Sequence, residues 1–366
     1  MSQRQEFKAL AAQQALSFAE LCRRFGVSRK TGYKWLAREA LEDRSRRPLA
    51  SPRRTAAEIE AHVLALRQRH PAWGGRKIAR RLRDLGFEAV PHPSTVTHVL
   101  RRHGCIEARR SGEGARYTRF EHPVPNALWQ MDFKGDFALR EGRCHALTIL
   151  DDHARYAITL TACRGQSRGD VQPALEAALR CYGLPERINV DNGQPWGSPG
   201  AWHGISALNV WLIQLGIRLS FSAPAHPQTN GKDERFHRTL KAELLQGRLF
   251  ADHAHAQRAF DAWRGLYNHE RPHQALDLAV PASRYRPSPR PYPHTLPAIE
   301  YGEGDTVATV GWNGAVTFAG QRWKVSKALK GLPVAFRADV RIDGRFHVYF
   351  CHQEVALIDL DQDAPG

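Results

Sequence analysis

Three acidic residues stand in settings that suit metal-dependent chemistry. Asp132 lies in Trp129-Gln130-Met131-Asp132-Phe133, Asp191 in Ile188-Asn189-Val190-Asp191-Asn192-Gly193, and Glu234 in Asn230-Gly231-Lys232-Asp233-Glu234-Arg235-Phe236. The first two interrupt or end apolar, strand-like runs. The third sits about one turn into a helical segment rich in Lys and Arg. Hard divalent cations prefer oxygen ligands, and a pair of them can activate an attacking oxygen and stabilise a leaving one. Three acids so placed on a very basic chain suggest a two-metal site for phosphodiester chemistry on DNA.

The elements that must hold these acids can be read from the pattern. Residues 127–161 read as three strands. In the first, alternation puts Trp129, Met131 and Phe133 on one face and Gln130, Asp132 and Lys134 on the other. Residues 143–150 and 156–161 supply the next two, joined by Asp151-Asp152-His153-Ala154-Arg155. A strand-joining turn accounts for Asp151 and Asp152 as competing acids. A helix is expected near 168–182 and a short buried strand at 187–190, which leaves Asp191 at the C-terminal end of a strand, where functional groups collect. Another helix at 205–215 and a last strand at 217–220 lead to a stretch of turn formers, 222–231. In the helix that follows, Arg238 and Lys241 share a face with Glu234. That pattern is equally that of a surface ion-pair ladder.

The net charge of +16 is concentrated. Residues 1–125 carry 26 Lys+Arg against 12 Asp+Glu, a net of +14, and the rest of the chain only +2. A polyanion is the expected partner, and the phosphate backbone of double-stranded DNA is the commonest one. Residues 17–39 form a candidate helix-turn-helix. Phe18, Leu21, Cys22 and Phe25 share one face, Gly26-Val27-Ser28 is the turn, and Ser28 can cap the next helix. That second helix carries Arg29, Lys30, Thr31, Tyr33 and Lys34 outward, with Gly32, Trp35 and Leu36 toward the core, and its size fits a major groove. A basic, proline-marked linker follows at 44–54. Thr55 then caps a long amphipathic helix with Ile59, Val63, Leu64 and Leu66 as core positions and Glu58 completing a capping box. Helices at 76–85, bearing Arg76 and Lys77, and 93–103 complete a second helical DNA-binding unit. His92, His98, His103 and Cys105 match no familiar zinc spacing.

Six cysteines without a C-x-x-C pair read as free buried thiols in a reducing compartment. The N-terminus lacks an apolar signal core, and no run approaches the length a membrane span needs. The expectation is a cytoplasmic protein with no membrane partner, nucleoid-associated if the source is bacterial.

The segment 227–241, Pro227-Gln228-Thr229-Asn230-Gly231-Lys232-Asp233-Glu234-Arg235-Phe236-His237-Arg238-Thr239-Leu240-Lys241, taken with Trp129-Gln130-Met131-Asp132 and Val190-Asp191-Asn192-Gly193, resembles the D-D-E transposases related to retroviral integrases. It is most like the 481 family of bacterial insertion sequences. The resemblance covers the N-terminal helix-turn-helix, the core and Tyr267-Asn268-His269-Glu270-Arg271-Pro272-His273. It implies an α/β ribonuclease-H-like integrase core, with Asp132, Asp191 and Glu234 as ligands to two Mg2+ ions, for which Mn2+ can substitute. Lys232, Arg238 and Lys241 would then position phosphates. Synapsis of two element ends implies at least a homodimer on DNA, and relatives favour a circular intermediate over cut-and-paste. From Asp191 to Glu234 the chain is longer than in integrase relatives, and the excess near 196–205 reads as a surface loop insertion.

The expected layout is multidomain: an all-α helix-turn-helix region at 1–45, the second helical unit at 55–110, the catalytic core at 122–285 with a final helix at 252–268, a Pro/Arg-rich linker at 281–293, and a small C-terminal β-barrel at 298–363. Trp312-Asn313-Gly314 and Ile342-Asp343-Gly344 are the barrel's hairpin signals. The function expected is binding of the element's terminal inverted repeats and target DNA, with metal-dependent cleavage and strand transfer. Rival readings are a catalytically inactive or domesticated helix-turn-helix regulator and a ribonuclease-H-type hydrolase of RNA–DNA hybrids.

Overall fold

The computed structural model describes residues 2–39, 54–106, 121–191, 193, 195–197, 205–221 and 227–361, with the side chains of 227–230 left aside. The expected basic linker, apart from Arg54, lies outside the described residues. The chain divides into two units, Met1–Thr55 and Ala56–Gly366.

The first unit holds three short helices, α1 (Gln3–Ala12), α2 (Phe18–Arg24) and α3 (Arg29–Leu36), capped by the side chains of Ser2, Ser17 and Ser28. Gly26 turns the chain between α2 and α3 at φ +62°, a conformation that costs glycine nothing. Phe7, Leu21 and Cys22 form the core, with the Phe7 ring edge-on to Phe25 and Trp35 at 5.3 Å. Gly32 lets α3 approach this closely, because a Cβ there would lie 2.8 Å from Cys22 Sγ and 2.9 Å from the Phe18 ring. Leu36, expected to face inward, is exposed at the last turn.

In the second unit, α4 (Ala57–Arg69), α5 (Gly75–Asp84) and α6 (Pro93–Arg102) enclose Val63, Leu66, Trp73, Ile78, Leu82, Val96 and Leu100. Thr55 is not the cap of α4: the N-cap position falls on Ala56, which has no side-chain acceptor. Glu60 is buried instead, held by Arg102 and by His103 at 3.5 Å.

The central sheet has the order β3-β2-β1-β4-β5. Strands β1 (Trp129–Ala138), β2 (Arg143–Asp151) and β3 (Ala157–Cys163) form an antiparallel meander, and β4 (Arg187–Val190) and β5 (Arg218–Phe221) add parallel strands beside β1. Helices α7 (Arg168–Tyr182) and α8 (Ala207–Gln214) share a core with Trp129, Met131, Ile149, Ile188 and Val190. A second core holds Phe236, Leu240 and Leu244 from α9 (Pro227–Leu240) and the π-helical turn Lys241–Leu245 after it. It also takes Phe260, Trp263 and Tyr267 from α10 (His253–His269), packed on Cys144, Ala146, Leu150 and Leu160. Strand alternation thus sorts the first half of β1: Trp129, Met131 and Phe133 pack under α7 and α8 and Asp132 looks the other way, while past the irregularity after Phe133 the Phe137 ring joins the second core.

Two stretches read as loop or linker are packed. Trp196 is buried, stacks on Phe133 at 5.8 Å, and its carbonyl accepts from Asn209 Nδ2 at 2.6 Å; Ile205 is buried too, so both ends of the supposed surface insertion belong to the core. Residues 198–204 lie outside the described residues. The Pro/Arg-rich segment 281–293 is a strap rather than a tether. Tyr285 stacks on Tyr156 at 4.2 Å, and Arg290 donates to the carbonyls of Pro185 and Gly216. Arginine forks and aromatic rings give this segment packing that its proline content conceals.

The C-terminal region holds β6 (Thr306–Thr309), β7 (Ala315–Phe318), β8 (Gln321–Lys324), β9 (Pro333–Ala338), β10 (Arg345–Phe350) and β11 (Gln353–Asp359). They form one sheet of order β11-β10-β9-β6 and a separate β7–β8 hairpin. The turn at Ile342-Asp343-Gly344 joins β9 to β10 as expected, but the turn at Trp312-Asn313-Gly314 makes no β6–β7 pair, since β6 pairs with β9. Among the described residues the ladders leave β6 and β11 as edges and close no barrel. The region packs on the core: Gln353 Oε1 accepts from Leu219 N–H at 3.2 Å.

All six cysteines are free; three are buried and Cys181 is exposed. Among the described residues no helix is long and apolar enough to cross a membrane.

Candidate active site

Asp132 sits in the middle of β1, and Asp191 follows the last residue of β4. Trp129 pairs with Ile188 and Gln130 with Asn189; continuing that parallel register sets Asp191 beside Asp132. Burial pushes the Asp132 carboxyl up to about 6, the negative charge of Asp191 adds to the rise, and a 2.7 Å hydrogen bond from Phe133 N–H opposes it. Asp191 Oδ1 accepts from Gly193 N–H at 2.9 Å, the turn geometry that Asp-x-Gly favours. Among the described residues no Lys or Arg forms a salt bridge with either acid, so the pair has like charge and oxygen donors only. That donor set fits a hard divalent cation.

Glu234 is exposed on α9, on one face with the exposed Arg238 and Lys241. It is Asp233 that turns inward, with Phe236, His237 and Leu240. Burial raises the Asp233 carboxyl well above the usual range, and the charges of Asp132 and Asp152 push the same way; its Oδ1 has no hydrogen-bond partner among the described residues. The structure therefore brings Asp132 and Asp191 together and leaves Glu234 on the flank. Among the described residues no three metal-ligating side chains converge.

His237 completes the inner face. Thr148, opposite Asp132 in the sheet, donates its hydroxyl to the Asp132 carbonyl at 2.9 Å and lies 2.8 Å from His237 Nε2. With the hydroxyl proton so used, Nε2 is the donor and Nδ1 carries the lone pair. Burial lowers this imidazole to about 4, which keeps it neutral, and Nδ1 lies 3.9 Å from Asp132 Oδ2.

The two turn acids separate in role. Asp151 accepts from the N–H groups of Asn126 and Ala154, both at 2.7 Å, which is the turn expected. Asp152 is equally buried but accepts from His122 N–H and Gln130 Nε2, each at 2.9 Å, and from the Lys232 ammonium.

The sequence-derived DNA contacts divide likewise. Arg29, Lys30, Tyr33 and Lys34 are exposed on α3, and Arg76 is exposed on α5. Thr31 is half-buried with its hydroxyl 2.9 Å from that of Ser28, and the Tyr33 ring stacks on Phe18 at 4.2 Å. Lys77 faces the core rather than solvent. It lies 3.7 Å from the buried Glu243, which also takes Arg271 Nε at 2.9 Å, and burial lowers the Lys77 ammonium to about 8. Lys232 is held by Asp152. Helical spacing alone could have flagged Asp233 and His237, which fall four apart in line with Leu240, whereas nothing in the sequence marks Asp152 as more than a turn residue.

Comparison with known proteins agrees with this architecture. Integrase core domain models match residues 122–227 and 215–281, and the model of the IS481 family transposase C-terminal domain matches 305–365. A helix-turn-helix domain matches 3–48 and a homeodomain-like domain 31–100. The chain is 27% identical over 237 residues to the insertion element IS407 31.7 kDa protein of Burkholderia multivorans, covering 64% of this chain and 82% of that one. It is 28% identical to the IS476 39.2 kDa protein of Xanthomonas euvesicatoria, covering 64% and 66%, and 31% identical over 157 residues to an IS136 protein of Agrobacterium fabrum, covering 40% and 76%. A chain of the simian T-cell lymphotropic virus intasome aligns over 82% of this one and 96% of its own length at 16% identity, with a TM-score of 0.41. A helix-turn-helix region, an integrase core with paired acids on β1 and β4, and an IS481-type C-terminal region run in order along one sequence: the chain belongs to the D-D-E transposases of bacterial insertion elements, in the IS481 family.

Proposed function

We propose that this transposase binds the terminal inverted repeats of its element, nicks them and joins the freed 3′ ends to target DNA, with Asp132, Asp191 and Glu234 holding two Mg2+ ions that Mn2+ can replace. The observation that carries this reading is the parallel β1–β4 register, which sets Asp191, just past β4, beside Asp132 on β1, with Glu234 on the neighbouring helix. When bound, such ions neutralise charge on the reacting phosphate and make the attacking oxygen more acidic. The chain's own groups do the rest. His237, kept neutral by burial beside Asp132, brings no positive charge that would compete with a cation there. Arg238 and Lys241, exposed beside Glu234, receive backbone phosphates. Arg29, Lys30, Tyr33 and Lys34 on α3 read one segment of the end and Arg76 contacts a second. Thr31 supports the start of α3 through Ser28.

The working layout is an end-binding module at 1–45, a second at 55–110, a core at 122–285 and a C-terminal domain at 298–363, whose two sheets would close as a small barrel. Two ends must be held at once, so the active form is at least a dimer, acting at the nucleoid in the cytoplasm. The test uses labelled DNA carrying the element's own ends, purified protein and Mg2+, resolved on a denaturing gel. Joined products are expected, and Asp132→Asn, Asp191→Asn and Glu234→Gln should each abolish them while end binding persists. Full activity of any one variant would remove that residue from the ligand set. Binding without nicking in either metal would make the protein a regulator.

A further inference from the structure

Asp152 is a fully buried carboxylate that the β2–β3 turn does not account for, because Asp151 already satisfies that turn. Its partners come from three separate segments. His122 N–H lies before β1, Gln130 is on β1 two residues ahead of Asp132 and on the same strand face, and Lys232 is on α9 two residues ahead of Glu234. One carboxylate therefore ties together the positions that precede two of the three acids.

We propose that the Asp152–Lys232 ion pair is a positioning latch: it fixes the first described turns of α9 against β1 and so sets the separation of Glu234 from Asp132. Lys232 is then a positioning residue and not a phosphate contact. The proposal rests on the three-carboxylate reading above. From Phe236 onward α9 and the turn after it are held mainly by the apolar packing of Phe236, Leu240 and Leu244, with the 2.8 Å His237–Thr148 hydrogen bond as a directional tie. Such packing is non-directional and tolerates sliding and rotation of a helix. A desolvated ammonium on a carboxylate that is itself pinned by two further donors is directional. It supplies at Lys232 the rotational and axial restraint that the apolar face lacks. A DNA phosphate could recruit Lys232 only by stripping it from a carboxylate that no solvent reaches, with the Lys232 side chain itself only 19% exposed.

The test is a double-mutant cycle in the full-length protein on labelled element ends, reading turnover, end affinity, its salt dependence and the Mg2+ concentration for half-maximal rate. Asp152→Asn and Lys232→Met should each lower strand-transfer kcat on the order of 10²-fold, as misplacement of about 1 Å does. Both should raise the Mg2+ requirement and leave end affinity and its salt slope unchanged. The double variant should be no slower than either single one. Lys232→Arg should recover most of the rate, and thermal melts identify any variant that has lost its fold. If Asp152→Asn proves unfolded, the Lys232 variants still carry the test. The latch is overturned if Lys232→Met weakens end binding and flattens the log–log salt slope by about one while kcat holds, the signature of a lost phosphate contact. Glu234→Gln, run alongside, separates the two ideas. If it is active, the ligand assignment fails; if it is inactive while both latch variants turn over normally, only the latch fails.

Discussion

Replacing Asp132 by Asn should stabilise the metal-free protein while destroying its activity. The carboxyl is raised from 3.8 to about 6, chiefly by burial and then by Asp191. The native state therefore binds this proton more tightly than the unfolded chain, and stability falls as pH rises through the interval from about 4 to about 6. Roughly two pKa units correspond to about 3 kcal/mol lost by pH 7 and above. That figure is a ceiling, because the side chain keeps 28% of its exposure. Asn has nearly the same shape, can still accept from Phe133 N–H, and carries no charge. In a chelator at pH 8, Asp132→Asn should then melt up to roughly 5–10 °C above the wild type, using about 2–4 °C per kcal/mol. At pH 3.5, where the wild-type carboxyl is protonated in the native state and mostly so in the unfolded chain, the two should nearly coincide. Mg2+ should raise the wild-type melting temperature by mass action and leave the variant nearly unmoved. Differential scanning calorimetry from pH 3.5 to 8, with and without Mg2+, measures all of this. A variant less stable than wild type at pH 8 in chelator, or a difference that ignores pH, would refute the account of Asp132 as a strained, cation-seeking acid.

Three further outcomes are expected. Gly32→Ala places a methyl 2.8 Å from Cys22 Sγ and 2.9 Å from Phe18 Cζ, so the first helical unit should lose about 1–3 kcal/mol and end binding should weaken; proteolysis of that unit reads the loss. Glu243→Gln removes the charge between Lys77 and Arg271 in a nearly dry pocket, and should cost about 3–5 kcal/mol in urea unfolding of the second unit. Arg238→Ala and Lys241→Ala, both on the exposed face of the α9 segment, should leave melting within about 0.5 kcal/mol and each reduce the log–log salt slope of end binding by about 0.9, measured by anisotropy titration.

What the sequence discloses follows from how locally each feature is encoded. Alternation in β1 is a two-residue rule, and it assigns Trp129 and Met131 to one face and Asp132 to the other before any tertiary fact is known. The Ser28 cap and the Gly26 turn are equally local. Lys77 is the opposite case: its partner Glu243 is 166 positions away, and a basic residue on an amphipathic helix looks alike whether it faces DNA or a buried carboxylate. The strap at 281–293 deceived through composition, since proline suggests a tether but says nothing of the Tyr156 ring or the carbonyls of Pro185 and Gly216 that await Tyr285 and Arg290. Asp152 was hidden by an adjacent acid that explained the turn well enough for both.

Burial separates the neighbouring acids Asp233 and Glu234. Asp233 faces Asp132 and looks at first like the better ligand. It is, however, wholly desolvated, and burial with two acids nearby pushes its carboxyl well above the usual range, so the packed layer disfavours its charged form. A protonated acid is a poor partner for a hard cation, and ionising it would place a third negative charge in the packed layer beneath α9. Glu234 lies about 100° farther round the helix, at the flank, where its charge keeps its hydration and where Arg238 and Lys241 bring phosphate to the same face. A ligand that must meet both a cation and a substrate belongs on that flank. Asp233→Asn should therefore keep strand transfer within a few-fold of wild type and change the melting temperature little, whereas Glu234→Gln should abolish transfer. The reverse pattern, with Asp233→Asn inactive and Glu234→Gln active, would move the third ligand one residue inward.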